Sequence, residues 1–192
     1  MKSLLRPALS LFVVLTLLTG LVYPVAIWGI AQVAFPQAAN GSVVERHGVV
    51  VGSELIGQPF SAPGHFWSRP SATAPVPYDG GASSGSNLGP LNPALVDAVK
   101  GRVAALRAAD PGNMAPVPVD LATASASGLD PHISVAAARY QVGRVARATG
   151  LSRERVQALV DRHTERPLFG FIGEERVNVL LLNLDLDEAR AR

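Results

Sequence analysis

The sequence predicts a single N-terminal transmembrane helix followed by one α+β extracytoplasmic domain, with about three helices packed on a small sheet. Three observations carry that expectation. A long N-terminal stretch is free of charge, several later segments place apolar residues every three or four positions behind helix-capping residues, and short β-branched runs lie between turn signals.

The anchor comes first. Lys2 and Arg6 precede a stretch from Pro7 to Val44 that contains no charged residue. Its apolar part, residues 8–35, exceeds the roughly 20 residues that a helix needs to cross the hydrocarbon core. A cleaved signal peptide is the rival reading, but its apolar region spans only about 7–15 residues, and here the run continues through Val22, Val25, Ile27 and Trp28. An uncleaved membrane anchor is therefore favoured. The positive-inside rule keeps Lys2 and Arg6 cytoplasmic, so residues 1–7 form a cytoplasmic N-terminus, residues 8–35 the transmembrane helix and residues 36–41 a linker. Residues 42–192 then form the domain outside the membrane. Tyr23 and Trp28 are placed toward the outer interface, Pro24 is expected to disturb the helix, and Thr16 and Gly20 give a small-xxx-small face for close helix packing.

Beyond the linker, "SVVERHGVVVG" reads as a hairpin turning at His47 and Gly48. Residues 56–90 are dense in Pro, Gly and Ser, yet they carry Phe60, Phe66, Trp67 and Tyr78. They are therefore expected to be an ordered, irregular surface. Asn92 and Pro93 open a helix with Leu95, Val99, Val103 and Leu106 facing inward, and Asp110 ends it. "APVPVDLATAS" suggests an edge strand interrupted by prolines. Asp130 and Pro131 are expected to open a second helix with Val135, Ala138, Val142 and Val145 inward, stopped by Gly150. Ser152 caps a third, with Val156, Leu159 and Val160 inward. "VNVLLLNLDLD" fits a strand through Leu182, Leu184 and Leu186, and a helix through Val177, Leu180, Leu181 and Leu184.

Composition limits the chemistry. A formal net charge of +2 implies no nucleic-acid partner, and the absence of cysteine excludes disulfides and thiolate chemistry. "GASSG" at 81–85 matches the nucleophile-elbow pattern around Ser83, but it has loop on both sides where that motif needs a strand before and a helix after. No lysine or arginine lies between Arg69 and Lys100, so the glycines there do not make a P-loop. His47, His65, His132 and His163 are scattered without metal-ligand spacing. The expectation is no catalytic residue and no metal site. What remains is surface: Phe66, Trp67 and Arg69 are residue types that anchor interfaces, although the two aromatic side chains would serve equally to pin the long loop to the core.

Six segments, "GSELIGQPF", "FWSRPSAT", "YDGGASSGSNLGPLNPAL", "TASASGLDPHIS", "RYQVGRVA" and "ERVNVLLLNLDLD", occur in the order and with the spacing of one family. Together they make the chain resemble the small C subunit of the Kdp potassium-transporting P-type ATPase, from the membrane anchor nearly to the C-terminus. The resemblance implies a bacterial plasma-membrane complex that imports potassium at the cost of ATP. Its partners would be a channel-like potassium-selecting subunit and a P-type ATP-hydrolysing subunit. The C subunit is a non-hydrolysing accessory chain, consistent with the absence of D-K-T-G-T here, and is described as a catalytic chaperone that raises the pump subunit's affinity for ATP. No tightly bound cofactor is implied, with ATP reached through the complex.

The resemblance also implies nucleotide-binding positions at Ser125, Ser127, Gly128 and Gln141, with Ala126 standing where some relatives have glycine. The charge argument puts these residues outside the cell, away from cytoplasmic ATP. The loop carrying Ser83, Ser84, Ser86 and Asn87 is instead expected to pack on the channel-like subunit near the external potassium entrance. The alternative function is an independent membrane-anchored protein that binds a small external ligand in a pocket of convergent polar groups.

Overall fold

The computed structural model describes residues 2–191, with side chains from Leu4 onward. The outermost residues of the expected 1–7 and 42–192 segments, and the Lys2 side chain of the orientation argument, lie outside what is described. The chain divides into two compact units between Val51 and Gly52.

The first unit is dominated by an apolar helix, α1 (Lys2–Leu17) continuing through a π-helical turn (Leu18–Val22) into α2 (Tyr23–Ala34). The disturbance expected at Pro24 takes the form of that turn. Proline has no N–H to donate, and the register shifts just ahead of it so that the Tyr23 N–H reaches the Leu18 carbonyl. The Thr19 hydroxyl donates to the Leu15 carbonyl at 2.7 Å in the same region. Leu4–Ala34 is the one helix among the described residues that is long and apolar enough to span a bilayer, and none of its window is buried within the chain. A helix apolar on every side needs lipid or other helices around it.

The segment 36–41 contains one helical turn, α3 (Pro36–Ala39), where a plain linker was expected. The hairpin is as anticipated: β1 (Val43–Arg46) pairs with β2 (Val49–Ser53), and His47 and Gly48 both take positive φ, 51° and 75°. Two left-handed residues in a two-residue loop match the right-handed strand twist.

In the second unit, α4 (Pro93–Ala109) starts where Asn92 accepts from the Ala94 N–H at 2.9 Å. Of its expected inner stripe only Leu106 is buried, while Leu95, Val99 and Val103 are half-buried. The anticipated edge strand over 115–125 does not form. Residues Val119–Ala122 make a short helical turn, α5, because the surrounding prolines leave few N–H groups for a ladder.

The expected helix start at Asp130 is also corrected. Asp130 instead accepts the His132 N–H at 3.0 Å, and strand β3 (His132–Ser134) intervenes. Helix α6 (Val135–Thr149) begins only after Ser134, whose hydroxyl accepts from Ala137, and ends at left-handed Gly150. Helix α7 (Arg153–Arg162) follows, capped by Ser152 as anticipated.

The ambiguous C-terminal segment proves to be both. Strand β5 (Arg176–Asn178) lies between β3 and β4 (Thr164–Glu165) in an antiparallel three-stranded sheet ordered β3-β5-β4, and then becomes helix α8 (Val179–Ala191). Inside α8 the buried positions are Val179, Leu180, Leu182, Asn183 and Leu186. A polar residue in the inward stripe is what blurred its period. The core joins these to Phe66, Ile133, Ala137, Ala138, Val142, Val145, Val156, Leu159, Val160 and Val177. The result is an α+β domain with four long helices where about three were expected.

Candidate functional site

The long irregular segment is held by polar groups that rise from the core. Asn183, 1% exposed, accepts the Phe66 N–H at 2.8 Å and donates to the Phe66 carbonyl at 3.0 Å. Gln141, also 1% exposed, does the same one residue later, accepting the Trp67 N–H at 2.8 Å and donating to the Trp67 carbonyl at 3.1 Å. Two amides from α8 and α6 thus replace the strand partner that an extended dipeptide would otherwise have. Arg144 completes the clamp. It donates to the Gln141 Oε1 at 2.6 Å and to the Pro63 carbonyl at 2.5 Å, and its guanidinium lies 4.6 Å from the Trp67 ring centre. Burial is the main cause that pulls the Arg144 pKa down, to about 10, so it still carries its charge at neutral pH.

These contacts show what two of the expected site residues do within the domain. Phe66 is fully buried and shows no side chain to a partner; it fills the core. Gln141 has its whole amide committed, since Ala137 also accepts from its Nε2 at 3.3 Å. It serves as a backbone clamp here.

The serine–glycine stretches meet each other. Ser84 donates its N–H, and Ser83 its hydroxyl, to the Ser127 carbonyl, each at 3.0 Å. The Ser125 N–H reaches the Pro70 carbonyl at 3.2 Å. Gly128, with φ +68°, is where the two segments touch most closely: a Cβ there would lie 2.5 Å from the Thr73 methyl and 2.7 Å from the Ser84 carbonyl. Ser71 joins the same junction by donating to the Gly128 carbonyl at 2.7 Å. Below it, Arg69 donates to Asp130 at 3.1 Å, and the Tyr78 hydroxyl donates to the Arg69 carbonyl at 2.5 Å. Burial alone would raise the Asp130 pKa. Hydrogen bonds from the His132 ring and backbone and from Arg69 outweigh it and hold the carboxyl at about 2.

An open cleft of about 450 Å³ lies here, lined by Leu55, Arg69, Ser125, Ser127, Leu129 and Asp130. Ser125, Ser127 and Gly128 are therefore brought together with Ser83, Ser84 and Arg69, while Gln141 belongs to the clamp. The loop 125–128 does not lead into a helix N-terminus, because β3 intervenes. The α6 N-terminus is already served by Asp120, which accepts the Ser134 N–H at 2.7 Å and the Ser134 hydroxyl at 3.2 Å. The elbow reading of Ser83 finds no strand before it; a 3-10 turn at Gly80–Ala82 precedes it.

Ser83, Ser84, Ser86 and Asn87 are exposed, and Trp67 is half-buried with its indole donating to the Ala62 carbonyl at 3.1 Å. On the long helix, Thr16 and Gly20 are exposed, and a Cβ at Gly20 would meet open space. Among the described residues no group of three His, Cys, Asp or Glu side chains is placed to hold a metal. His65 pairs instead with Asp187 at 3.0 Å and His163 with Asp185 at 2.7 Å.

One feature escaped the reading of the sequence. Residues 168–172 form a tight loop closed by Leu168 and Ile172, which exchange backbone hydrogen bonds at 3.0 Å in both directions. Phe169 and Phe171 are 80% and 77% exposed on it, with Leu168 and Ile172 beside them. The signal was "LFGFI", an apolar run with a central glycine between "ERP" and "GEER". An exposed apolar cluster of this kind marks an interaction surface more often than chance.

The family model described as KdpC, the c chain of the K+-transporting ATPase, matches residues 5–188. A "Potassium-transporting ATPase KdpC subunit" of Polaromonas naphthalenivorans (strain CJ2) is 67% identical over 187 residues, covering 97% of this chain and 95% of the relative. Proteins of the same description from Herminiimonas arsenicoxydans and Sorangium cellulosum (strain So ce56) are 63% and 65% identical, covering 98% and 99% of this chain and 99% and 100% of theirs.

Proposed function

The chain belongs to the KdpC family, subunits of the K+-transporting ATPase, and from that premise we propose a non-hydrolysing accessory role for it on the outer side of the plasma membrane. The apolar helix anchors it once, N-terminus inside. The ordered domain docks on the complex through the outward-facing Ser83–Asn87 loop and the apolar 168–172 loop. Its partners are the channel-like potassium-selecting subunit and the ATP-hydrolysing pump subunit.

In this reading the subunit supports assembly and raises the pump's ATP affinity indirectly, through docking. The observation that carries it is the complete engagement of Gln141 with Trp67, Ala137 and Arg144, which favours a structural over a nucleotide-binding use of the glutamine implicated by resemblance.

The chain has no cysteine, so single Ser86→Cys and Ser127→Cys variants have no background thiol. Both positions are exposed. A membrane-impermeant maleimide is expected to label each in intact cells. Labelling only after the membrane is broken, in a chain expressed without partners, overturns the orientation and returns the serine loop to the cytoplasmic nucleotide.

A further inference from the structure

A second cleft, of about 500 Å³, opens on the other face of α6, between that helix and the 110–118 segment, and the family assignment gives it no task. Three arginines line it: Arg139 and Arg147 from α6, and Arg153 from the start of α7. Gly143 sits between the first two at helical spacing. Two guanidiniums reach over this position: a Cβ added there would lie in ordinary contact, 3.6 Å from the Arg147 Nη1 and 3.8 Å from the Arg153 Nη2. Like charges do not gather over a bare helix backbone without something to hold them.

The acidic groups do not neutralise them. Arg147 bonds to the buried Asp110, and Arg139 lies 3.7 Å from Asp161; two carboxylates thus face three guanidiniums, and Arg153 has no ion-pair partner among the described residues. Glu154 lines the neighbouring cleft beside Arg139 and Arg153.

Tyr140 also lines the cleft, with its hydroxyl buried. The remaining wall, with Met114, Pro116 and Pro118, is apolar.

We propose that this cleft is an anion-binding site for a phosphate group, held by the guanidiniums of Arg147 and Arg153 with Arg139 at its rim. Guanidinium forks match phosphate oxygens in pairs, and the apolar wall receives whatever the phosphate is attached to. The site goes beyond the accessory role and does not depend on it. It is separate from Ser125, Ser127, Gly128 and Gln141, none of which lines it.

The test uses the full chain in maltoside detergent, titrated with inorganic pyrophosphate, and the same chain in nanodiscs with or without phosphatidic acid. Binding is read by shifts of the arginine side-chain NMR signals. Saturable binding that Arg153→Gln weakens about tenfold, and that Lys100→Gln leaves unchanged, is expected in one arm. A response to pyrophosphate identifies a soluble phosphate as the ligand source, and a response only in phosphatidic-acid discs identifies a lipid headgroup. Absence of saturable binding below about 10 mM in both arms overturns the proposal, as does equal affinity in Arg153→Gln and the parent chain.

Discussion

Two stretches of the same loop-rich region, neither with regular secondary structure, meet opposite fates. Residues 62–67 run Ala-Pro-Gly-His-Phe-Trp and residues 83–90 run Ser-Ser-Gly-Ser-Asn-Leu-Gly-Pro, and neither forms a helix or strand. The first is pinned to the core, with Phe66 buried and each peptide group of Phe66 and Trp67 bound by an amide from Asn183 or Gln141. The second lies on the surface, touching the domain mainly where Ser83 and Ser84 meet the Ser127 carbonyl. Order in an irregular segment is set by what pairs its backbone, and here two buried side chains distant in sequence make that difference.

The comparison breaks most severely at the clamp. Asn183→Leu keeps the branched heavy-atom shape but strands the Phe66 N–H and carbonyl, and should cost about 3 kcal/mol in urea unfolding of the full chain in detergent. Retained stability would mean that the buried amides do not hold the loop.

Gly128→Ala tests the junction between the two serine stretches. The left-handed φ and the approach to the Ser84 carbonyl predict a loss of about 2 kcal/mol by the same measurement.

Asp130 ties the surface side of this region to pH. Its folded pKa of about 2 lies below the ordinary 3.8, so its contribution is present above about pH 4 and fades as pH falls toward 2. The carboxylate is partly exposed, which limits the effect to about 1 kcal/mol. Asp130→Asn should flatten stability across that window and lower it at neutral pH; an unchanged acid limb would remove the Arg69–Asp130 pair from the account.

The smallest effect on stability belongs to the free surface. Ser86→Trp and Phe171→Ser are expected to change unfolding by less than about 0.5 kcal/mol, while lowering potassium uptake and co-purification of partner subunits. Normal uptake and recovery in both variants would disconnect these loops from docking.

Several elements were legible before any coordinates because their signals are local. The apolar run of the anchor, the His47–Gly48 turn, the Asn92 and Ser152 caps and the Gly150 stop each depend on residues a few positions apart. Errors arose where a polar residue faces inward. Asn183 interrupts the apolar stripe of α8, and Gln141 and Arg144 sit on the buried face of α6, so neither pattern announces what those side chains do. Asp130 cast the ordinary signature of a helix cap and instead turns the chain into β3.

An apolar helix long enough to cross a membrane, the α+β class and, through the linked motifs, the family are all written along the chain, because they follow from periodicity, capping and residue identity. That Phe66 is core, that Gln141 holds a backbone, and that Arg147 and Arg153 meet over Gly143 emerges only in the folded chain. Each of these depends on groups brought together from distant or successive elements, and a polar side chain has no fixed role until the fold supplies its partner.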